Sequence, residues 1–272
     1  MAFSKMIKGL AYIESIKDIA NSGVTLPLKC NIKEIGEAYA KYIGNPFGTQ
    51  VLVNEWIGAC VADVIGLSIP NYGICYLPES VVINGMIEEI DASNVGKAFY
   101  SKAFTKAVPV NRGLLQKVIN GNIETLLVYD HLVNNCDRHK GNVLCDLNQG
   151  PQIVLIDNSE LFTDKYRYDE RLLLEELKID RIVSCNVFNS NQKIYDLLID
   201  TFGLNKDALI LKSEEVKNVL TDDILNTIKS TIPEEWRKDV RGELIELIFE
   251  QVSLRRDNMD AICDCIIMER KK

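Results

Sequence analysis

Histidine, proline and long apolar runs are all scarce in this sequence. Two histidines and seven prolines are spread over 272 residues, and no stretch approaches the roughly 18 apolar residues that a membrane span needs. No charged-then-apolar leader opens the chain. These absences point to a cytoplasmic protein that does not associate with membrane. None of the eight cysteines forms a C-x-x-C pair, and Cys263-x-Cys265 has no histidine near it. The spacing therefore fits neither a zinc site nor the disulfide framework of a small secreted domain. Most of the cysteines sit in apolar runs and read as free buried thiols in a reducing compartment. Positive charge is short as well, with 31 Lys and Arg against 39 Asp and Glu, a net charge of −8. Nucleic-acid binding needs a clustered positive field, so none is expected. The basic clusters, Arg255-Arg256 and Arg270-Lys271-Lys272, read as solvated helix faces. No internal repeat or low-complexity tract is present.

What is present divides into two parts. Helical spacing of Ile7, Leu10, Ile13 and Ile16 predicts a helix over 5–21. Residues 24–30 read as a strand containing Pro27, residues 38–43 as a second strand, and 44–48 as a turn. Residues 49–65 predict an amphipathic helix ending at Gly66, a natural residue just past a helix end. Two β-like runs follow, at 72–77 and 81–87. Beyond residue 100 the pattern turns helical, with a long apolar helix over 113–135, short strands at 142–146 and 152–156, a helix-like stretch at 160–182, and Pro233 opening a helix. The expected fold class is α+β: a small β-rich N-lobe over residues 1–97 and a mainly helical C-lobe over 98–272, the two closing on a cleft.

The densest polar cluster is Asn134-Asn135-Cys136-Asp137-Arg138-His139-Lys140-Gly141-Asn142. It lies between an apolar helix and the strand Val143-Leu144-Cys145. A second strand, Ile153–Ile156, runs directly into Asp157. A turn at 148–150 would bring Asn142 and Asp157 to one end of a hairpin, where amide and carboxylate oxygens suit Mg²⁺ bound with nucleotide phosphates. Asp137 and Asn142 match the D-x-x-x-x-N of a kinase catalytic loop, in which the Asp takes the substrate hydroxyl proton and the Asn holds metal. That spacing alone reads as an Asx-rich turn, since it occurs often by chance. Asp157 after an apolar strand shifts the reading to function. Upstream, Lys41 on its strand and Glu55 on the following helix each read alone as surface residues. Together, in that chain order, they form a candidate phosphate-binding lysine and its partner.

Asn-Cys-Asp-Arg-His-Lys-Gly-Asn at 135–142, followed by Leu-Ile-Asp at 155–157, resembles the signature of HipA-like kinases, and phosphoinositide 3/4-kinases share a similar loop. Further segments resemble the same family: Ser22-Gly23 through Pro27, Tyr39-Ala40-Lys41, Asn54-Glu55-Trp56, Gly66–Pro70, Ala98–Ser101 and Ile232–Trp236. The likeness spans roughly residues 20–240, and 135–157 is its most specific part. The resemblance implies a bilobal protein-kinase-like fold and transfer of the γ-phosphate of ATP, with Mg²⁺, to a protein serine or threonine or to the chain itself. It assigns Asp137 as the proton-accepting residue, Asn142 and Asp157 as metal ligands, Lys41 as the phosphate contact with Glu55 as its partner, and Ser22-Gly23 to the nucleotide loop. His139 would face the γ-phosphate, or brace the loop backbone, and Arg138 would buttress the loop. Implied partners are a protein substrate and a HipB-like antitoxin or regulator. Ser22 is a candidate phosphorylation site. The sequence departs from the pattern in having Ser159 where a DFG-type motif has glycine, one glycine in the nucleotide loop, and no Ala-Pro-Glu. A lipid or small-molecule kinase and an ATP-binding pseudokinase are the alternatives. A metal-dependent hydrolase using Asp137, His139 and Asp157 carries less weight.

Overall fold

The computed structural model describes residues 3–20, 24–85, 90–119, 121–148, 150–165 and 167–270. Its N-terminal part is a closed five-stranded barrel in the order β1-β2-β3-β5-β4. The strands are β1 (Met6–Ile19), β2 (Leu28–Ile32), β3 (Gly36–Lys41), β4 (Tyr72–Leu77) and β5 (Gly96–Lys102). Between β3 and β4 lies α1 (Thr49–Val64), and α2 (Glu79–Gly85) follows β4. Alternation explains β2 and β3: Leu28, Cys30, Ile32, Ala38 and Ala40 point inward and are fully buried. β2 begins just after Pro27, which keeps the proline out of the ladder.

Three expectations for this part need correction. The predicted helix over 5–21 is the strand β1, which pairs antiparallel with β2 and parallel with β4. Its register shifts between Ile13 and Ser15 and again between Ile16 and Asp18. Each bulge inserts a residue, so the inward-facing Ile13, Ile16 and Ile19 fall three apart and imitate a helical stripe. The β-like run at 81–87 is α2 through Gly85, started by the carbonyl of Pro78, with Val82 its one buried side chain. Finally, α1 is a helix but not an amphipathic one. It is buried on every side, because it is the wall between the barrel and the helical part. Gly66, at φ 77°, ends it as expected.

β5 runs across the boundary drawn at residue 97, so the barrel extends to Lys102. The helical part contains β6 (Ala107–Pro109), α3 (Arg112–Leu115), α4 (Ile123–Leu132), β7 (Val143–Asp146), β8 (Gln152–Leu155), α5 (Glu170–Glu176), α6 (Ile179–Ile182), α7 (Asn186–Ser190), α8 (Gln192–Phe202), α9 (Lys206–Val219), α10 (Asp222–Ser230), α11 (Gly242–Asp257) and α12 (Met259–Arg270). β6, β7 and β8 form a small antiparallel sheet. The helix expected over 113–135 is interrupted, since Asn122 adopts a left-handed conformation before α4 begins. Among its described residues, the stretch 160–182 is helical only in α5 and α6. The reading of most cysteines as free buried thiols has an exception. Cys185 and Cys265, 80 residues apart, are disulfide-bonded, a pairing of distant residues that spacing cannot reveal.

The barrel has its own core, whereas α1 shares one with Tyr72, Phe99 and the helices of the second part. A 3-10 turn at Glu234–Lys238, opened by Pro233, pins the two parts together. Trp236 donates its indole N–H to the Lys97 carbonyl, and Glu235 accepts from the Lys97 amide. Trp56 on α1 donates to Thr231 and packs edge-on against Trp236. No helix among the described residues is long and apolar enough to cross a membrane.

Candidate active site

The loop between α4 and β7 is held from below by a buried ion pair. Asp130, on the last turn of α4, and Arg138 are both fully buried. Arg138 Nη2 lies 2.8 Å from Asp130 Oδ1, and Nε reaches both carboxylate oxygens. Nη1 donates to the carbonyls of Ile156 and Asn142, so one guanidinium ties the loop to both strands of the β7–β8 hairpin. Burial alone would pull the guanidinium's pKa down, but Asp130 outweighs it and the side chain stays charged. Asp130 also accepts from Asn135 Nδ2 and from the Tyr195 hydroxyl, which leaves the pair well satisfied.

Above this base, Asn142 Nδ2 donates to the Asp137 carbonyl at 3.0 Å and to Oδ2 at 3.3 Å. The Asp137 carboxyl is about a third exposed. Partial burial raises its pKa; His139 opposes the rise and the charge of Asp157 adds to it. His139 Nδ1 accepts the Gly141 amide at 2.9 Å, which puts the ring proton on Nε2, 3.7 Å from Asp137 Oδ2. A Cβ at Gly141 would fall 2.7 Å from the imidazole, so the ring would have to shift.

Lys41 lies at the end of β3 and reaches two acids. Its ammonium is bonded to Glu55 of α1 and lies 2.8 Å from Asp157 Oδ1. Burial would lower its pKa, yet the two carboxylates together raise it above the ordinary lysine value. One cation cannot neutralise two acids. Burial, with the charge of Asp157 adding to it, pushes Glu55 up to about 7. Against burial, Lys41 and the hydroxyl and amide of Ser159 hold Asp157 well below the usual carboxylate range. Asp157 itself sits at φ 62°, a left-handed conformation uncommon outside glycine and held here by these bonds.

α1 fixes the segment after Asp157. Gly58 lets the helix come close, since a Cβ there would meet Asn158 and Leu161 below 3 Å. Asn54 donates to the Ser159 carbonyl and accepts from the Tyr168 hydroxyl, while Tyr129 bridges the Gly58 carbonyl and Asn158. Beside the loop lies a cavity of about 280 Å³ whose lining includes Cys136, Asp164, Glu176, Asn189 and Ser190.

The structure thus brings Lys41, Glu55, Asp137, His139, Asn142 and Asp157 into one region. Ser22 and Gly23 lie outside the described residues. Asn142 Oδ1 and Asp157 Oδ2 take no hydrogen bond among the described residues, and these two hard oxygens fit Mg²⁺. No group of three or more His, Cys, Asp or Glu capable of holding a metal occurs among those residues, so phosphate oxygens and water would complete such a shell. The sequence reading missed Asp130, Asn191 and Tyr195, which brace the loop. A carboxylate inside the apolar run 123–133 was a usable signal for Asp130. Nothing local marks Asn191 or Tyr195.

The barrel, the shared helix and the Lys41–Glu55–Asp157 contact above a D-x-x-x-x-N loop define a bilobal kinase-like fold. The family model for HipA-like kinases matches residues 13–260, and the chain belongs to that family. The crystal structure of the Helicobacter pylori proinflammatory kinase CtkA superposes with a TM-score of 0.52 at 13% identity, covering 95% of this chain and 96% of that one. At that identity the likeness is one of fold. No curated protein matches the sequence.

Proposed function

We propose that this HipA-like kinase is an ATP- and Mg²⁺-dependent phosphotransferase acting on a serine or threonine hydroxyl of a protein or of the chain itself. The observation that carries the reading is Lys41 held between Glu55 and Asp157, with Asn142 and Asp137 on the adjoining loop. When bound, Mg²⁺ would supply positive charge to offset that of the phosphates. Asn142 and Asp157 would supply its protein oxygens. The Lys41 ammonium would contact the α/β-phosphates, with Glu55 keeping it in place. Asp137 orients the acceptor hydroxyl and takes its proton as the hydroxyl oxygen bonds to the γ-phosphorus. The bond from that phosphorus to the β–γ bridging oxygen breaks, and ADP leaves. His139, with a proton on Nε2, would donate to a γ-phosphate oxygen.

A HipB-like regulator and a cytoplasmic setting accompany this reading as proposals. Transfer of label from γ-labelled ATP to protein, with the phosphosites mapped by mass spectrometry, tests it. Asp137→Ala should lower kcat by about 10²–10⁴-fold. Full activity in the Asp137→Ala, Asp157→Ala double variant would overturn the assignment. Tight ATP binding with no turnover in the wild type would favour a pseudokinase.

A further inference from the structure

The support of the catalytic loop does not end at Arg138. Asn191, 1% exposed, sits between α7 and α8 and grips the loop by both edges. Its Oδ1 accepts the Arg138 amide at 2.8 Å, and its Nδ2 donates to the Asn135 carbonyl at 2.7 Å and to the Tyr195 hydroxyl at 3.0 Å. These contacts lie on either side of Asp137 in sequence. The grip is only as fixed as the backbone that carries it. On one side that backbone is anchored by α8, whose first amides, Ile194 and Tyr195, bond to the Asn191 carbonyl. On the other side is α7, five residues long and too short to hold its shape unaided.

The far end of α7 is Cys185, whose carbonyl accepts the Asn189 amide. Its sulfur is bonded to Cys265 on α12, 80 residues away. Both cysteines are half-buried, within reach of small thiols and disulfides. The six other cysteines are free, and all but Cys136 are buried.

We propose that Asn191 is a positioning residue for the Asp137 loop and that the Cys185–Cys265 bond, by anchoring α7, makes the placement of that loop redox-dependent. Bond formation oxidises the two thiols, and a low-molecular-weight disulfide such as glutathione disulfide is reduced to two thiols that carry away the protons. Reduction by a dithiol reverses the exchange. The proposal deepens the phosphotransfer reading, and its consequence for rate rests on that reading. Its structural half does not.

The test uses the full chain, wild type, Cys265→Ser, Asn191→Ala and Asn191→Asp, each with glutathione disulfide and with dithiothreitol. Alkylation under denaturing conditions should find six thiols in the oxidised wild type and eight after reduction. Amide exchange over 133–142 should quicken about tenfold on reduction, while that of the barrel strands stays unchanged. The kcat should fall about tenfold, with the KM for ATP within about twofold. Cys265→Ser should match the reduced wild type under both conditions. Asn191→Ala should be slow and insensitive to redox state, and Asn191→Asp, which keeps the acceptor for Arg138, should recover part of the rate. Eight thiols under oxidising conditions, equal loop exchange in both states, or a Cys265→Ser protein that still responds to reductant would each overturn the proposal. If no form transfers phosphate, the exchange result still decides it, and the functional reading alone fails.

Discussion

Two buried ionic clusters meet at the β7–β8 hairpin, and they are built in opposite ways. In the Asp130–Arg138 pair one cation faces one anion. The carboxylate also receives Asn135 and Tyr195, and the remaining guanidinium donors go to backbone carbonyls. In the other cluster Lys41 stands between Glu55 and Asp157, so negative charge is left over and one Asp157 oxygen is uncommitted. The first arrangement has no reason to change when a ligand arrives. The second has an unmet demand for positive charge where Asp157 is about a third exposed, which suits the metal-bound nucleotide proposed above. Balance marks the brace and imbalance marks the working site.

The comparison can be broken by removing either cation. Arg138→Met should cost about 3–5 kcal/mol of folding stability, because Asp130 would remain buried without its partner. Chemical denaturation should show that loss, and an Arg138→Met, Asp130→Leu double variant should recover much of it. Lys41→Met should lower kcat/KM by about 10²–10³-fold. It should also cost stability, but less than Arg138→Met, because Glu55, already pushed up to about 7, can take a proton and Asp157 is about a third exposed. A Lys41→Met protein as unstable as Arg138→Met would erase the distinction.

pH gives a handle on the brace side. His131, fully buried on α4, donates Nδ1–H to the Leu127 carbonyl, and its Nε2 has no partner. Burial, with Arg255 nearby, lowers its pKa to about 4, against about 6.5 in an unfolded chain. The folded value is depressed, so the stabilisation is present above about pH 6.5 and is lost as pH falls towards 4. The loss amounts to roughly 3 kcal/mol. Urea titrations across that range should show the slope, and His131→Met should flatten it. The smallest effect belongs to His139, more than half exposed at the rim of the site. His139→Ala should lower kcat about three- to tenfold and leave stability within about 0.5 kcal/mol. A loss as large as that of Asp137→Ala would move His139 to the centre of the chemistry.

How much of this was legible in the residues depended on whether the signal was local. The Asp137–Asn142 loop and the apolar strand running into Asp157 are contiguous in sequence, and the structure has them as read. The hairpin and the span of α1 were equally local. β1 was misread because its bulges replace a period of two by spacings of three. The burial of α1 on every side was hidden because a helix wall between two bodies has no polar face to announce it, and its Glu55, which alone read as a surface residue, is buried. Asn191 and the Cys185–Cys265 bond carried no local mark, since the loop residues that Asn191 grips and the two bonded cysteines are 53 to 80 residues apart.

The position of α1 also limits how the gene can be cut. A fragment ending at Lys102 would close its barrel and still carry α1, with Leu52, Trp56 and Ile57 facing water where the second part had covered them. The other fragment would have the matching groove. Each half would be sticky, so the two parts are units of architecture but not of inheritance: neither can be borrowed, swapped or expressed alone without a substitute for its neighbour.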